Sequence, residues 1–253
     1  MTDHLEGERT SSDLAHAVGC SRPGQVRLSK TSIAALEQCP KKLWLKLYQP
    51  HVARFSPATL RLFAAGHLVG ELARREYPNG ALVELDHHNL LAAIQVTRSL
   101  LEQPHSQPIF EAAFCHSNVV VRADILLPAE DGSWDLIEVK NSGGVRPAYI
   151  SDLTTQAWVI EGSGVRLRGL YIRHPFKPLR PWGRAHPVHF TDVELGEVVK
   201  SGIAMKEDIV RRGAEVARGG MPVTRVGSHC STPYRCEFFE YCRSSDTESN
   251  LRN

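Results

Sequence analysis

Apolar residues recur at helical spacing from Thr31 onward, at Ile33, Leu36, Leu43, Leu45 and Leu47. Pro40 interrupts this run. It lacks an N–H and its ring crowds the preceding turn, so the element is expected to bend or break just after Cys39. A second helical pattern covers residues 57–75, with Leu60, Phe63, Ala64, His67, Leu68, Glu71 and Leu72 on repeating positions. Pro78-Asn79-Gly80 stops it. Residues 82–85 read as a short strand and residues 90–102 as a helix. The pattern then changes to that of strands, at residues 108–115, 119–127 and 134–139, separated by turn-like His116-Ser117-Asn118 and by residues 128–133. Residues 149–161 predict a helix and 166–173 a strand. Residues 191–218 predict one long amphipathic helix. Helices followed by three consecutive strands, a helix and a strand predict an α/β core, a mixed sheet with helices on both faces.

Composition narrows the function classes only slightly. The chain has 253 residues, 42% apolar and 23% charged, which suits one domain with a sizeable core. The net charge of +2 is too small to argue for a polyanionic partner, so any nucleic-acid case must rest on local sites. No apolar run approaches the roughly 20 residues needed to cross a bilayer. Residues 1–27 are polar, lack an apolar signal core and predict a flexible leader; residues 243–253 predict a flexible tail. No membrane partner and a cytoplasmic location are the resulting expectations.

The candidate chemistry lies on the strands. Asp124 stands in one and Glu138-Val139-Lys140 ends the next, one hairpin apart, so antiparallel pairing would bring both carboxylates to one point. Two hard oxygen ligands on a rigid sheet suit Mg²⁺ or Mn²⁺. Glu138 and Lys140 are two residues apart and share a strand face. A lysine beside a metal-bound carboxylate can position or deprotonate an attacking water and offset phosphate charge. Apolar neighbours such as Val121, Ile125 and Ile137 make these charges costly unless they are paired or ligating. The competing interpretation is a set of ordinary solvent-facing hairpin charges.

After Lys140 come a loop, Asn141-Ser142-Gly143-Gly144, and a helical segment bearing Gln156. An Asp, a Glu-x-Lys and a helix with a Gln resemble the PD-(D/E)XK nuclease superfamily, in particular its RecB-like branch. The resemblance implies a restriction-endonuclease-like fold. It also implies a metal site at Asp124, Glu138 and the Val139 carbonyl, with catalysis by Lys140, and Gln156 orienting the lysine or the DNA backbone. The aromatic residue often found a turn after the Gln is absent, since Ile160 stands there. The family's usual metal-ligand His falls at Gly70. Glu71 is the better candidate ligand, with His67 on the same helix face; Glu111 is a further acidic contributor.

Six cysteines are unevenly placed, with Cys230, Cys236 and Cys242 spaced by five residues each. Zinc sites usually use closer pairs, and the wider spacing fits an iron–sulfur cluster better, with Cys39 as the fourth ligand. One cysteine near the N-terminus and three near the C-terminus are similar to the iron–sulfur subgroup of RecB-like nucleases, which includes CRISPR-associated exonucleases. There a [4Fe–4S] cluster staples the chain ends around the core. The resemblance spans residues 28–242 and implies a single nuclease domain with an iron–sulfur tail. A zinc site using His229, or unliganded buried thiols, are the alternatives. Cys20 and Cys115 are expected to be ordinary thiols. Lys30, Lys41, Lys42, Arg146, Arg173, Arg180 and Arg184 are candidate phosphate contacts, and Trp44, Tyr149, Trp158 and Tyr234 candidate stacking residues.

The expected function is therefore metal-dependent hydrolysis of DNA, single-stranded or at duplex ends, as an exonuclease, with a helicase, CRISPR or repair protein as partner. The alternatives are a non-catalytic nucleic-acid-binding or adaptor module that keeps the fold and cluster, for which Gly70 speaks, and an iron–sulfur redox or sensor protein.

Overall fold

Pro40 sits at the first position of a helix, where its missing N–H costs nothing, and it forces Cys39 before it into extended backbone at φ −166°, ψ 126°. The N-terminal pattern thus forms two helices, α1 (Lys30–Gln38) and α2 (Pro40–Tyr48), with Cys39 at the break between them. The computed structural model describes residues 20, 26–84, 89–103, 107–180 and 188–250.

Among these residues, seven strands form one mixed sheet: β1 (Leu28–Ser29), β2 (Ala81–Leu82), β3 (Ile109–His116), β4 (Val119–Pro128), β5 (Trp134–Val139), β6 (Leu167–Pro175) and β7 (Phe190–Glu194). The order is β2-β3-β4-β5-β6-β7, and β1 pairs with β4 off this path. The β3–β4, β4–β5 and β6–β7 pairs are antiparallel; β1–β4, β2–β3 and β5–β6 are parallel.

Strand alternation sends Ile125 and Ile137 to one face, where they pack with Phe110 and with Ala73 of α3 (Pro57–Arg74). Leu126, Leu136 and Leu170 join the larger core on the other face, with Leu153, Ala157 and Ile160 of α5 (Pro147–Gly162). α4 (Leu90–Leu101) packs on β3. Ile33, Leu36 and Leu43 of the N-terminal arm enter the same larger core, as do Val199 of α6 (Gly196–Ile203) and Val210 of α7 (Lys206–Arg218). The α/β architecture with helices on both faces is as the strand and helix periods predict. No described helix is long and apolar enough to cross a membrane.

Four expectations are corrected. The segment expected as one helix over 191–218 is a strand followed by two helices. Thr191, Asp192, Val193 and Glu194 pair with β6, and Arg173 clamps Asp192 with two hydrogen bonds of 2.7 and 2.6 Å. Within the expected tail, residues 243–250 are helical rather than irregular: α8 runs over Phe239–Asn250. Cys20 and Cys115 are not ordinary thiols but a disulfide. Cys20 is fully buried in the main core, so this part of the expected flexible leader is pinned to β3. A disulfide is unusual in a reducing compartment. The remaining leader before residue 26 lies outside the described residues.

Candidate active site and cysteine cavity

The sheet forks between β4 and β5. Their ladder runs from Pro128–Trp134 to Ile125–Ile137 and stops there. Asp124 is the next residue of β4, and its Oδ2 accepts the Val139 amide proton at 2.7 Å in place of a ladder bond. Further along the same edge, at Val119 and Val120, β1 takes the position β5 has left. The strands separate where the two carboxylates stand, and the opening leads into a broad groove lined by Asp124, Glu138, Val139 and Lys140.

Glu138 is the hub. It is 2% exposed, and both of its oxygens are engaged. Oε1 accepts from Lys140 Nζ at 2.8 Å and from Lys30 Nζ at 2.7 Å; Oε2 accepts from Gln156 Nε2 at 2.7 Å. Lys140 also donates to Asp152 Oδ2 at 2.7 Å and lies 5.2 Å from the centre of the Tyr149 ring. The predicted Asp124, Glu138, Lys140 and Gln156 are thus gathered in one network. Gln156 donates to Glu138, however, rather than to Lys140. Gln156 is completely buried, and its Oε1 has no hydrogen-bond partner among the described residues.

The electrostatics follow from this arrangement. Burial works to raise the Glu138 carboxyl, but Lys140 and Lys30 outweigh it and hold the group well below the usual carboxylate range. Burial and the neighbouring Glu138 charge push Asp124 up to about 8, against the pull of Lys30 and the Val139 amide. The Lys30 and Lys140 ammonium groups would be lowered by burial, yet the carboxylates hold both above the ordinary lysine value. Two neighbouring carboxyls of which one resists ionisation form a site short of positive charge, and a divalent cation would supply it. The donor set fits Mg²⁺ or Mn²⁺: two carboxylates, with room in an open groove for the waters that Mg²⁺ retains.

Glu111 is closer to this centre than its sequence context suggests. Its neighbours Phe110 and Ala112 pair with Ile125 and Ala123, the two residues that flank Asp124. Glu111 itself has φ 55°, a left-handed conformation uncommon for a non-glycine residue. Arg74 of α3 holds its carboxylate at 3.1 Å. Glu71 and His67 line the same groove as exposed residues of α3.

Three features of the site were not evident in the sequence. Lys30 is bound to Glu138, although it was expected only as a phosphate contact. Asp152 holds Lys140 from one helical turn before Gln156. Phe55, Leu62 and Phe63 present a large exposed apolar wall to the groove, the two phenyl rings 5.5 Å apart. The one available hint for Lys30 is its place directly after the helix-capping Ser29, where a cation opposes the helix dipole.

Other candidates are redistributed. Arg146 and Tyr234 line the groove, as does Tyr149, the ring beside Lys140. Lys42 lines it too but is paired with Glu237 at 3.0 Å. Lys41 is buried. Arg173 is not a free phosphate contact: it is buried in ion pairs with Glu76 and Asp192. Trp158 is not a stacking platform: it is buried against His116. Trp44 donates to the Gly219 carbonyl at 3.1 Å and packs beside the cysteine cluster. Arg180 is exposed and outside the groove lining; Arg184 lies outside the described residues.

The other site is a small cavity lined by Cys39, Cys230, Cys236 and Cys242, the four cysteines outside the disulfide. Leu45 and Phe238 supply its apolar wall, and Lys41, Lys42 and Arg225 also line it. Extended backbone at Cys39 follows from Pro40, and a Cys236 N–H bond to the Cys230 carbonyl at 2.8 Å folds the C-terminal loop back. Gln38 ties the two ends together by donating to the His229 and Tyr234 carbonyls, both at 2.8 Å. Burial pushes the Cys236 thiol up to about 11. His229 Nε2 lies 3.5 Å from Cys230 Sγ, so it too borders the cavity. Among the described residues, no three His, Cys, Asp or Glu side chains are drawn together as the binding group of a metal ion. A scan against protein-family models returned no match, and neither did a search of curated proteins.

Proposed function

We propose that this chain is a metal-dependent deoxyribonuclease of the PD-(D/E)XK, RecB-like type, an exonuclease whose chain ends are held by a structural [4Fe–4S] cluster. The observation that carries the reading is the fork between β4 and β5. It puts Asp124 and Glu138 side by side at the floor of an open groove, with Lys140 on one Glu138 oxygen and Gln156 on the other.

Asp124 and Glu138, with the Val139 carbonyl at the same strand end, would hold Mg²⁺ or Mn²⁺. When bound, that ion supplies Lewis acidity toward the phosphate and acidifies the attacking water. Lys140, restrained by Asp152 and Tyr149, presents an ammonium at the mouth of the site to orient water and offset phosphate charge. Gln156 fixes the rotamer of Glu138. Arg146 and Lys46 line the groove that the phosphate chain would follow, and Phe55, Phe63 and Tyr234 offer faces to bases. Cys39, Cys230, Cys236 and Cys242 would ligate the cluster. Four cysteines lining one cavity match the four thiolate ligands that such a cluster takes. The lysines and arginine beside them offset the negative charge of four thiolates.

The test is a cleavage assay on anaerobically purified full chain with labelled single- and double-stranded DNA and Mn²⁺ or Mg²⁺. Metal-dependent cleavage, lost in both Glu138→Ala and Lys140→Ala, is expected. A folded, brown protein that binds DNA without cutting it would favour the adaptor reading, for which Gly70 in place of the family's metal-ligand His speaks.

A further inference from the structure

Lys30 is costly where it stands. It is the first residue of α1, at the positive end of the helix dipole, and no acidic residue in the first turn offsets it. Its side chain is only 19% exposed. The sequence offers no local reason for a cation here, and Ser29 already caps the helix through the Ser32 amide. A residue that breaks a local rule without local gain points to a role elsewhere. Lys30 finds its compensation at Glu138 Oε1, 2.7 Å away, the oxygen that Lys140 also holds.

We propose that Lys30 is a built-in competitor of the divalent cation: its ammonium occupies Glu138 Oε1 in the metal-free protein and must leave when the metal binds, so that Lys30 sets the metal affinity of the site. This rests on the reading of Asp124 and Glu138 as metal ligands. Counted as ionised, Asp124, Glu138 and Asp152 carry three negative charges and Lys30 and Lys140 two positive ones. A divalent ion bound with both lysines in place leaves the cluster with one net positive charge. Departure of the Lys30 ammonium returns it to neutrality. Lys140 cannot serve as the departing group so readily, because Asp152 and Tyr149 hold it from other sides. Among the described residues Glu138 is the one hydrogen-bond partner of the Lys30 ammonium, and Lys30 borders the groove into which its flexible stem can swing.

The experiment is calorimetric titration of Mn²⁺, without nucleic acid, into the cluster-loaded full chain as wild type, Lys30→Met and Lys30→Gln. Circular dichroism establishes that each is folded. Two replacements of different polarity guard against one that misfolds. Both variants are expected to bind Mn²⁺ at least about tenfold more tightly than wild type, equivalent to about 1.4 kcal/mol. Unchanged or weaker binding in the folded variants overturns the proposal, as does absence of Mn²⁺ binding in all three proteins. Cleavage assays on the same samples separate the two readings. Tighter Mn²⁺ binding with no cleavage by any of the three removes the nuclease and leaves Lys30 as competitor. Metal-dependent cleavage by wild type with no gain in affinity removes only the competitor role.

Discussion

The floor of the groove and the cysteine cavity are built on opposite principles. The floor sits on adjoining strands joined by one hairpin, and its groups are charged, paired and fixed by the sheet. The cavity joins residues from the two ends of the described chain, Cys39 and Cys230 to Cys242, and is walled largely by Leu45 and Phe238. Changing the floor should therefore alter chemistry and leave the fold, whereas changing the cavity should release the chain ends. α1 is the physical link, with Lys30 at one end on Glu138 and Gln38 at the other on the C-terminal loop.

The sharpest test of this contrast is Glu138→Gln. The amide keeps the size of the side chain and an acceptor for Gln156, so cleavage should fall by at least about 10³-fold, a loss of several kcal/mol of charge stabilisation. The thermal midpoint should stay within a few degrees. A large loss of stability would mean that the network serves the fold. Cys236→Ser should give the mirror image: loss of the cluster's visible absorbance, a midpoint lowered by on the order of 10 °C, and faster proteolysis of residues 220–250. Unchanged melting would show that the cavity does not staple the ends.

A smaller effect is expected from pH in metal-free protein. The Asp124 carboxyl is raised from an ordinary value of 3.8 to about 8, so it favours folding while protonated. That contribution is complete below the unfolded value and is lost as pH rises through about 8. Asp124→Asn removes the dependence. The variant should therefore match wild type near pH 4 and melt higher near pH 8, by on the order of 5 °C. Parallel melting curves across that window would contradict this origin of the shift. The mildest change is Gln38→Ala, which removes two hydrogen bonds to the C-terminal loop and should cost about 1–3 kcal/mol. It should loosen the cysteine end while leaving kcat for DNA cleavage unchanged. A fall in kcat would show that α1 transmits the state of the cavity to Lys30.

Much of the floor was legible because its logic is local. Period-two alternation and one turn are enough to align Asp124 with Glu138, and spacing alone puts Lys140 on the same face. Pro40 announced the break at Cys39 through backbone sterics. The segment 191–218 misled because Thr191 to Glu194 also fit strand alternation, and only pairing with β6 selects between the two periods. Arg173 and Trp158 looked available because their residue types suit phosphate and base contacts. Their burial depends on β7 and on His116, which sequence spacing does not reveal.

By itself the sequence determined the central strands and most of the helices, the hairpin that pairs the acidic strands, the break before Pro40 and the grouping of three C-terminal thiols. Each is set by backbone sterics or by spacing over a few residues. Tertiary structure alone decided that Lys30 lies against Glu138, that Cys20 joins Cys115, and that β4 and β5 diverge beside Asp124. These are contacts between segments far apart in the chain or between strand edges. They are chosen by how the whole set of apolar faces packs, which no local pattern encodes.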